Sequence, residues 1–427
     1  MALPETAVST TRLWHPFADM AVVDGAEVVL TRGEGVWLWD EEGRRYLDGS
    51  ASLWYANVGH GRQEIVDAVE RQMRELETYS IFQDVANRPA LDLAERLSGL
   101  APMNDARVFF TSGGGEAIET AAKLARLYWH TLGKPERVHL VSRTSAYHGA
   151  QGFGTSVGGI DANRAGFGPL LEDTSRVPHD SVDALERTLA ELGPENVPAF
   201  FFEPVIGAGG VNPPKPGYLE AVTELCQALG VLVVCDSVIC GFGRLGGWYG
   251  TERFGIEPDL ITFAKGVTSG YLPLAGVVVS GRVAEPFWST PGRAPFRHGP
   301  TYAGHAACCA AGLANVDILE REGLVTKGEE LEGVLYDALA PLAEHPLVGE
   351  VRGGLGLLAA IELDAAVLER HPRAVWDSYI AIRDQGVLLR PLVRGLAVSP
   401  PLTITPDEIG QIAEAAKAGL DALALDV

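Results

Sequence analysis

The chain holds six lysines against 28 arginines, and one of the six is placed unlike the rest. Lys265 ends the apolar run Leu260-Ile261-Thr262-Phe263-Ala264 and is followed by Gly266. That pattern sets an amine at the carboxyl end of a buried strand, where α/β sheets gather their ligands. Burial disfavours the ammonium form and leaves the free amine that imine formation requires. The plainer alternative is a strand-end lysine that reaches solvent. Lys123, Lys327 and Lys417 lie in helical patterns with polar neighbours, Lys134 and Lys215 lie beside prolines, and all five read as surface residues.

Asp236 ends a second apolar run, Val231 to Cys235. A carboxylate buried there needs a cation or several donors. Beside the nitrogen of an aromatic ring it would keep that nitrogen protonated, and the protonated ring would draw in an electron pair. Alternatively it caps the following turn. A third piece is Thr111-Ser112-Gly113-Gly114-Gly115-Glu116, between a strand and a helical run. Glycines there let backbone amides approach an anion where the helix dipole also favours negative charge. It lacks the lysine and hydroxyl of a P-loop. The simpler reading is a flexible connection. Gly241-Phe242-Gly243-Arg244-Leu245-Gly246 fits a dinucleotide-binding GxGxxG, but glycines and Pro258 break the stretch where the fingerprint needs a helix.

These residues need a scaffold of alternating strands and helices. Apolar runs at 107–110, 138–142, 199–202, 231–235, 260–264 and 274–280 lack period-two alternation, as strands covered on both faces should. Amphipathic stretches between them imply a mostly parallel sheet. Residues 33–47 read as a hairpin around Gly43, with helices beginning near Arg62, His305, Val375 and Pro406. The expected fold class is α/β. A large domain over 59–317 carries the central sheet, and a small α/β domain is built from both chain ends, 1–58 and 318–427.

Composition narrows the partners. With 56 acidic against 34 basic residues the formal net charge is −22, which would repel nucleic acid and anionic membranes. The opening MALPETAVST has no signal-peptide pattern, and the apolar stretch 303–316 is too short to span a bilayer. Five cysteines without a CxxC pair read as reduced core residues, and ten scattered histidines give no zinc-site spacing. A cytoplasmic enzyme is expected.

Together the residues resemble the class III aminotransferases of pyridoxal-phosphate fold type I. The stretch Asp236 to Arg244, Pro258-Asp259 and Phe263-Ala264-Lys265-Gly266 carries the resemblance most strongly. Further matches are Leu53-Trp54, Gly59-His60, Tyr147-His148-Gly149, Glu203-Pro204, Gly207 to Gly210, Thr301 to His305 and Ser399-Pro400-Pro401. The resemblance implies pyridoxal 5'-phosphate held as a Schiff base on Lys265 with Asp236 on its ring nitrogen. Tyr147 and Val238 would cover the two ring faces, and the amides of Gly114 and Gly115 would hold the phosphate. Ser112, His148 and Glu203 join the cofactor set. Thr301 would reach the site of a second copy, which implies a homodimer with shared active sites.

Within the family, Trp14 to Phe17, Leu53-Trp54 and Arg390-Pro391-Leu392 are most similar to the ω-transaminases, with an amine donor and pyruvate as the keto-acid acceptor. Diaminopelargonate, γ-aminobutyrate or ornithine transamination, or an aminomutase or decarboxylase, are the alternatives. Phe17, Leu53, Trp54, Tyr147 and Ala208 would line the substrate pocket, with Arg390 pairing a carboxylate. Three positions depart from the family pattern: Ser237 replaces a glutamate, Ala306 a proline, and Gly115 a serine whose hydroxyl helps hold phosphate. Restoring serine at 115 is expected to tighten cofactor binding if the backbone there is not confined to glycine.

Overall fold

The computed structural model describes residues 11–23, 25–289 and 295–423. Its centre is a seven-stranded sheet of β4 (Arg107–Thr111), β5 (Leu140–Arg143), β6 (Thr174–Val177), β7 (Ala199–Phe202), β8 (Leu232–Asp236), β9 (Leu260–Phe263) and β10 (Ala275–Val279). Three N-terminal strands precede them, β1 (Leu30–Glu34), β2 (Trp37–Asp40) and β3 (Arg45–Asp48). Five short ones follow: β11 (Val348–Arg352), β12 (Ala359–Leu363), β13 (Val387–Leu388), β14 (Arg390–Pro391) and β15 (Gly395–Val398).

The central order is β4-β10-β9-β8-β7-β5-β6, with β10 antiparallel to both neighbours and the other pairings parallel. β7, β8, β9 and β10 are buried at every residue, which is why their sequences run apolar without alternation. On one face the helix Gly114–Thr131 presents Ala117, Ala121, Ala122 and Ala125 to a cluster containing Val234, Leu260 and Val277. Side chains this small bring the helix close to the sheet.

The two chain ends meet in one sheet. β13 lies parallel to β3 with Val387 opposite Leu47, while β11, β12, β15 and β14 form a sheet of their own. Pro406 and the Thr405–Glu408 capping box begin the closing helix Pro406–Asp421, as the sequence suggests. The apolar stretch near 303–316 forms the helix Ala306–Arg321, and among the described residues no helix is long and apolar enough to cross a membrane.

Strand boundaries shift for identifiable reasons. Val138 and His139 donate to the carbonyl of Asn196 before the ladder begins, and Val231 N closes the helix Tyr218–Ala228 on Cys226 O. β6 was not expected from the sequence. Among the described residues it is an edge strand paired only to β5, and its Thr-Ser-Arg-Val sequence offers no apolar run.

The GxGxxG stretch folds as turns, with Phe242, Gly243 and Gly246 at positive φ, and leads into the short 3-10 segment Thr251–Phe254. Its work is done by Arg244. That guanidinium is fully buried and donates to Leu357 O at 3.1 Å, Pro400 O at 2.6 Å and Asn57 Oδ1 at 3.1 Å, clipping three distant segments together. Arg244→Met would strand these acceptors and should cost about 3 kcal/mol or more. Urea denaturation of the apoprotein measures it; a midpoint equal to the parent's would show that the clip is dispensable.

Candidate active site

Five segments leave the carboxyl ends of the aligned strands and converge on one cavity of about 1170 Å³. β9 delivers Lys265, β8 Asp236, β7 Glu203, β5 the 147–151 loop, and β4 the glycine turn. Lys265 sits at φ +50, a strained conformation for a non-glycine residue. The turn Lys265–Val267 is held there by Asn315, whose Nδ2 donates to Gly266 O at 2.8 Å and Val267 O at 3.0 Å. Gly266 is required by close approach, since a Cβ would stand 2.6 Å from Asn57 Nδ2 and 2.8 Å from Phe242 Cβ. Burial pushes the lysine down to about 8, against the upward pull of Asp236 and Glu203. Its Nζ lies 5.6 Å from the Trp54 ring centre.

The Asp236 carboxylate is satisfied from three directions. Oδ1 accepts from Val238 N at 3.1 Å and Thr262 Oγ1 at 3.0 Å, and Oδ2 pairs with His148 Nδ1 at 2.8 Å. It therefore caps its turn through one oxygen, while the other, with a single protein partner, retains room to accept from a ring nitrogen. Glu203 is fully buried and accepts from Tyr147 N and Gly207 N, each at 3.0 Å, so it sets the position of Tyr147. Burial raises its carboxyl above the usual range.

At the glycine turn, Gly113 precedes the helix Gly114–Thr131. Its first amides have no intrahelical acceptor. Ser112 Oγ is buried beside them without a partner. Val238 faces Gly114, its Cγ1 3.0 Å from where a Cβ would stand. Gly115 adds a condition to the expectation about serine. Its φ is not in the left-handed region, yet a Cβ would lie 1.8 Å from Gln151 Oε1 and 2.8 Å from Gln151 Nε2. A side chain at 115 would therefore have to displace the flexible end of Gln151.

Phe17, Leu53, Trp54, Tyr147, His148, Ala208 and Arg390 all line the cavity, Phe17 meeting Tyr147 edge-on at 6.3 Å. Arg390 Nε is buried without a partner, and burial pushes its guanidinium down. Thr301 is exposed and does not line this cavity. Sequence reasoning missed Thr262, Asn315, Gln151 and Asp48. Asp48 accepts from Ser50 N at 3.1 Å and Ser52 N at 2.9 Å, and pairs with His60 at 2.8 Å. It thereby pins a loop in which Ala51, Ser52 and Trp54 all have positive φ. Only Thr262, three residues before Lys265 in a buried run, carried a signal that could have been read.

A flat aldehyde bearing a phosphate fits this donor set: a depressed lysine, a carboxylate with a free acceptor position, and a helix amino terminus beside an orphaned hydroxyl. The fold and site define an enzyme of the pyridoxal-phosphate type. Residues 20–420 match the class III aminotransferase family, to which the chain belongs, and its cofactor is pyridoxal 5'-phosphate. The putrescine–pyruvate aminotransferase of Pseudomonas aeruginosa is 37% identical, with 99% of this chain and 96% of that one covered. An (S)-enantioselective ω-transaminase structure from Thermomicrobium roseum is 40% identical with a TM-score of 0.91, covering 95% of each chain. A PLP-bound amine transaminase structure from an uncultivated Pseudomonas species is 36% identical, also at 0.91, covering 96% of this chain and 98% of that one. The protein is an aminotransferase, acting on amine and keto-acid substrates.

The lysine shift has a stability consequence. Its folded value, about 8, lies below the ordinary 10.5. The charged amine therefore costs the folded apoprotein most below pH 8, and the cost fades as pH rises toward 10.5. Lys265→Met apoprotein should be more stable than the parent at neutral pH, with a smaller difference under alkaline conditions. Denaturant midpoints for both proteins across that range check it, and a difference that holds constant or widens would contradict the assignment.

Proposed function

We propose that the protein is an ω-transaminase, carrying an amino group from an amine or ω-amino acid to a keto acid, with pyruvate as acceptor. The observation that carries this reading is Arg390. Its Nε is buried and unpartnered, and the cavity it lines also presents Phe17, Leu53, Trp54, Ala208 and Leu392. Such a pocket takes an apolar amine in one half-reaction, and in the other offers a cation to a carboxylate. The Pseudomonas aeruginosa relative, named for an amine and pyruvate, supports the same pairing.

When bound, pyridoxal phosphate supplies a carbonyl for imine exchange and a ring that takes up an electron pair. Asp236 would hold a proton on the ring nitrogen, its carboxylate oriented by His148. Tyr147 and Val238 would cover the ring, and the helix start at Gly114 and Gly115 would hold the phosphate, with Ser112 Oγ as a further donor. Lys265 Nζ is neutral over much of the alkaline range. As a free amine beside the substrate it would accept the proton from the nitrogen-bearing carbon and return it later. Thr301, exposed and outside this cavity, would reach the phosphate site of a second copy in a homodimer with shared sites.

Arg390→Ala separates the two halves. It should cost roughly 2 to 4 kcal/mol in catalytic efficiency with pyruvate and leave the half-reaction with a simple arylalkylamine within a few-fold. Single-turnover absorbance changes for each substrate give the ratio, in which folding or cofactor defects cancel. Equal losses on both sides, or none with pyruvate, would remove the reason for choosing this subgroup.

A further inference from the structure

We propose that the carboxamide of Gln151 is the phosphate-binding side chain that Gly115 lacks, so that a donor on the facing loop stands in for a hydroxyl on the helix. The inference rests on the phosphate being seated at the start of the helix Gly114–Thr131.

Four observations carry it. First, Gly115 has no conformational need to be glycine, and the three atoms nearest a Cβ there all belong to the Gln151 carboxamide. Residues 115 and 151 are thus complementary in space: the missing side chain makes room for the one that arrives. Second, Gln151 Oε1 accepts from Ala150 N at 3.2 Å. With the oxygen so engaged, Nε2 is left with two N–H donors beside the helix amino terminus, where an anion is favoured. Third, the loop is held in place from both ends. Tyr147 N is fastened to Glu203 at 3.0 Å, and Phe153 N and Gly154 N to Glu119 Oε1 at 2.6 and 3.1 Å. Between them Gly149, at φ +96, lays bare backbone against Gly115, a Cβ at 149 lying 2.7 Å from Gly115 Cα. Fourth, Gln151 lines the cavity beside Gly114 and Gly115 while remaining exposed overall, so no packing demand explains its position.

The test compares the apoprotein's affinity for pyridoxal phosphate with its affinity for pyridoxal, which lacks the phosphate, by quenching of tryptophan fluorescence. Gln151→Ala should weaken pyridoxal phosphate about tenfold and pyridoxal less than twofold. Gln151→Glu should lose more, because a carboxylate repels the phosphate. In the Gln151→Ala background, Gly115→Ser should recover most of the lost affinity, whereas Gly115→Ser alone should not tighten binding, since serine must expel the carboxamide. Thermal melting of each apoprotein separates these effects from unfolding. Parallel loss of both ligands in Gln151→Ala would reduce Gln151 to loop support and overturn the proposal, as would no loss of either. If the parent itself bound both ligands equally, the phosphate seat would be wrong and the proposal would go with it.

Discussion

A carboxylate buried at the end of β8 is the constraint around which the site is arranged. Asp236 is 4% exposed, and an ionised carboxyl at such a depth survives only with donors on every side. The donors come from different elements: Thr262 from β9, the amide of Val238 from its own turn, and His148 from the loop after β5. Satisfying one charge therefore fixes the relative placement of three segments. Thr262 lies three residues before Lys265, so the bond that steadies the carboxylate also anchors the strand that delivers the amine. Glu203 adds a second buried carboxyl, and both oppose the desolvation that lowers Lys265.

Holding reactive groups this close requires backbone that ordinary packing would not choose. Lys265, Phe17, Ala51, Ser52 and Trp54 all have positive φ and all but Ala51 line the cavity. Two of these strained segments have restraints of their own. Asn315 fastens the lysine turn from the helix Ala306–Arg321, and Asp48 fastens the loop that presents Leu53 and Trp54. Such strain persists only where surrounding contacts over-determine it. Behind the site Arg244 acts as a similar restraint, joining segments from residues 57, 357 and 400.

Much of this was legible because burial on both faces writes itself as uninterrupted apolar runs, and a charge at the end of such a run stands out. Lys265 and Asp236 were found that way, as was the mostly parallel sheet. What links them was not legible. The Asp236–His148 pair spans 88 positions, and the fit of Gln151 against Gly115 depends on how the loop after β5 folds back over a helix. A missing Cβ reads in sequence only as an absence. β6 escaped because an edge strand needs no apolar run, and the role of Arg244 because glycine-rich turns leave no apolar run to mark a buried cation.

The most direct test concerns the proton that Asp236 is held to maintain. The protein would be loaded with pyridoxal phosphate carrying nitrogen-15 in its ring, and the nitrogen resonance followed from about pH 6 to about pH 9, a range in which a ring nitrogen without a charged partner would be free to lose its proton. In the parent the expected result is a protonated-ring shift that does not move across the range, replaced by an unprotonated shift in Asp236→Asn. An unprotonated or freely titrating nitrogen in the parent would contradict the role given to this carboxylate.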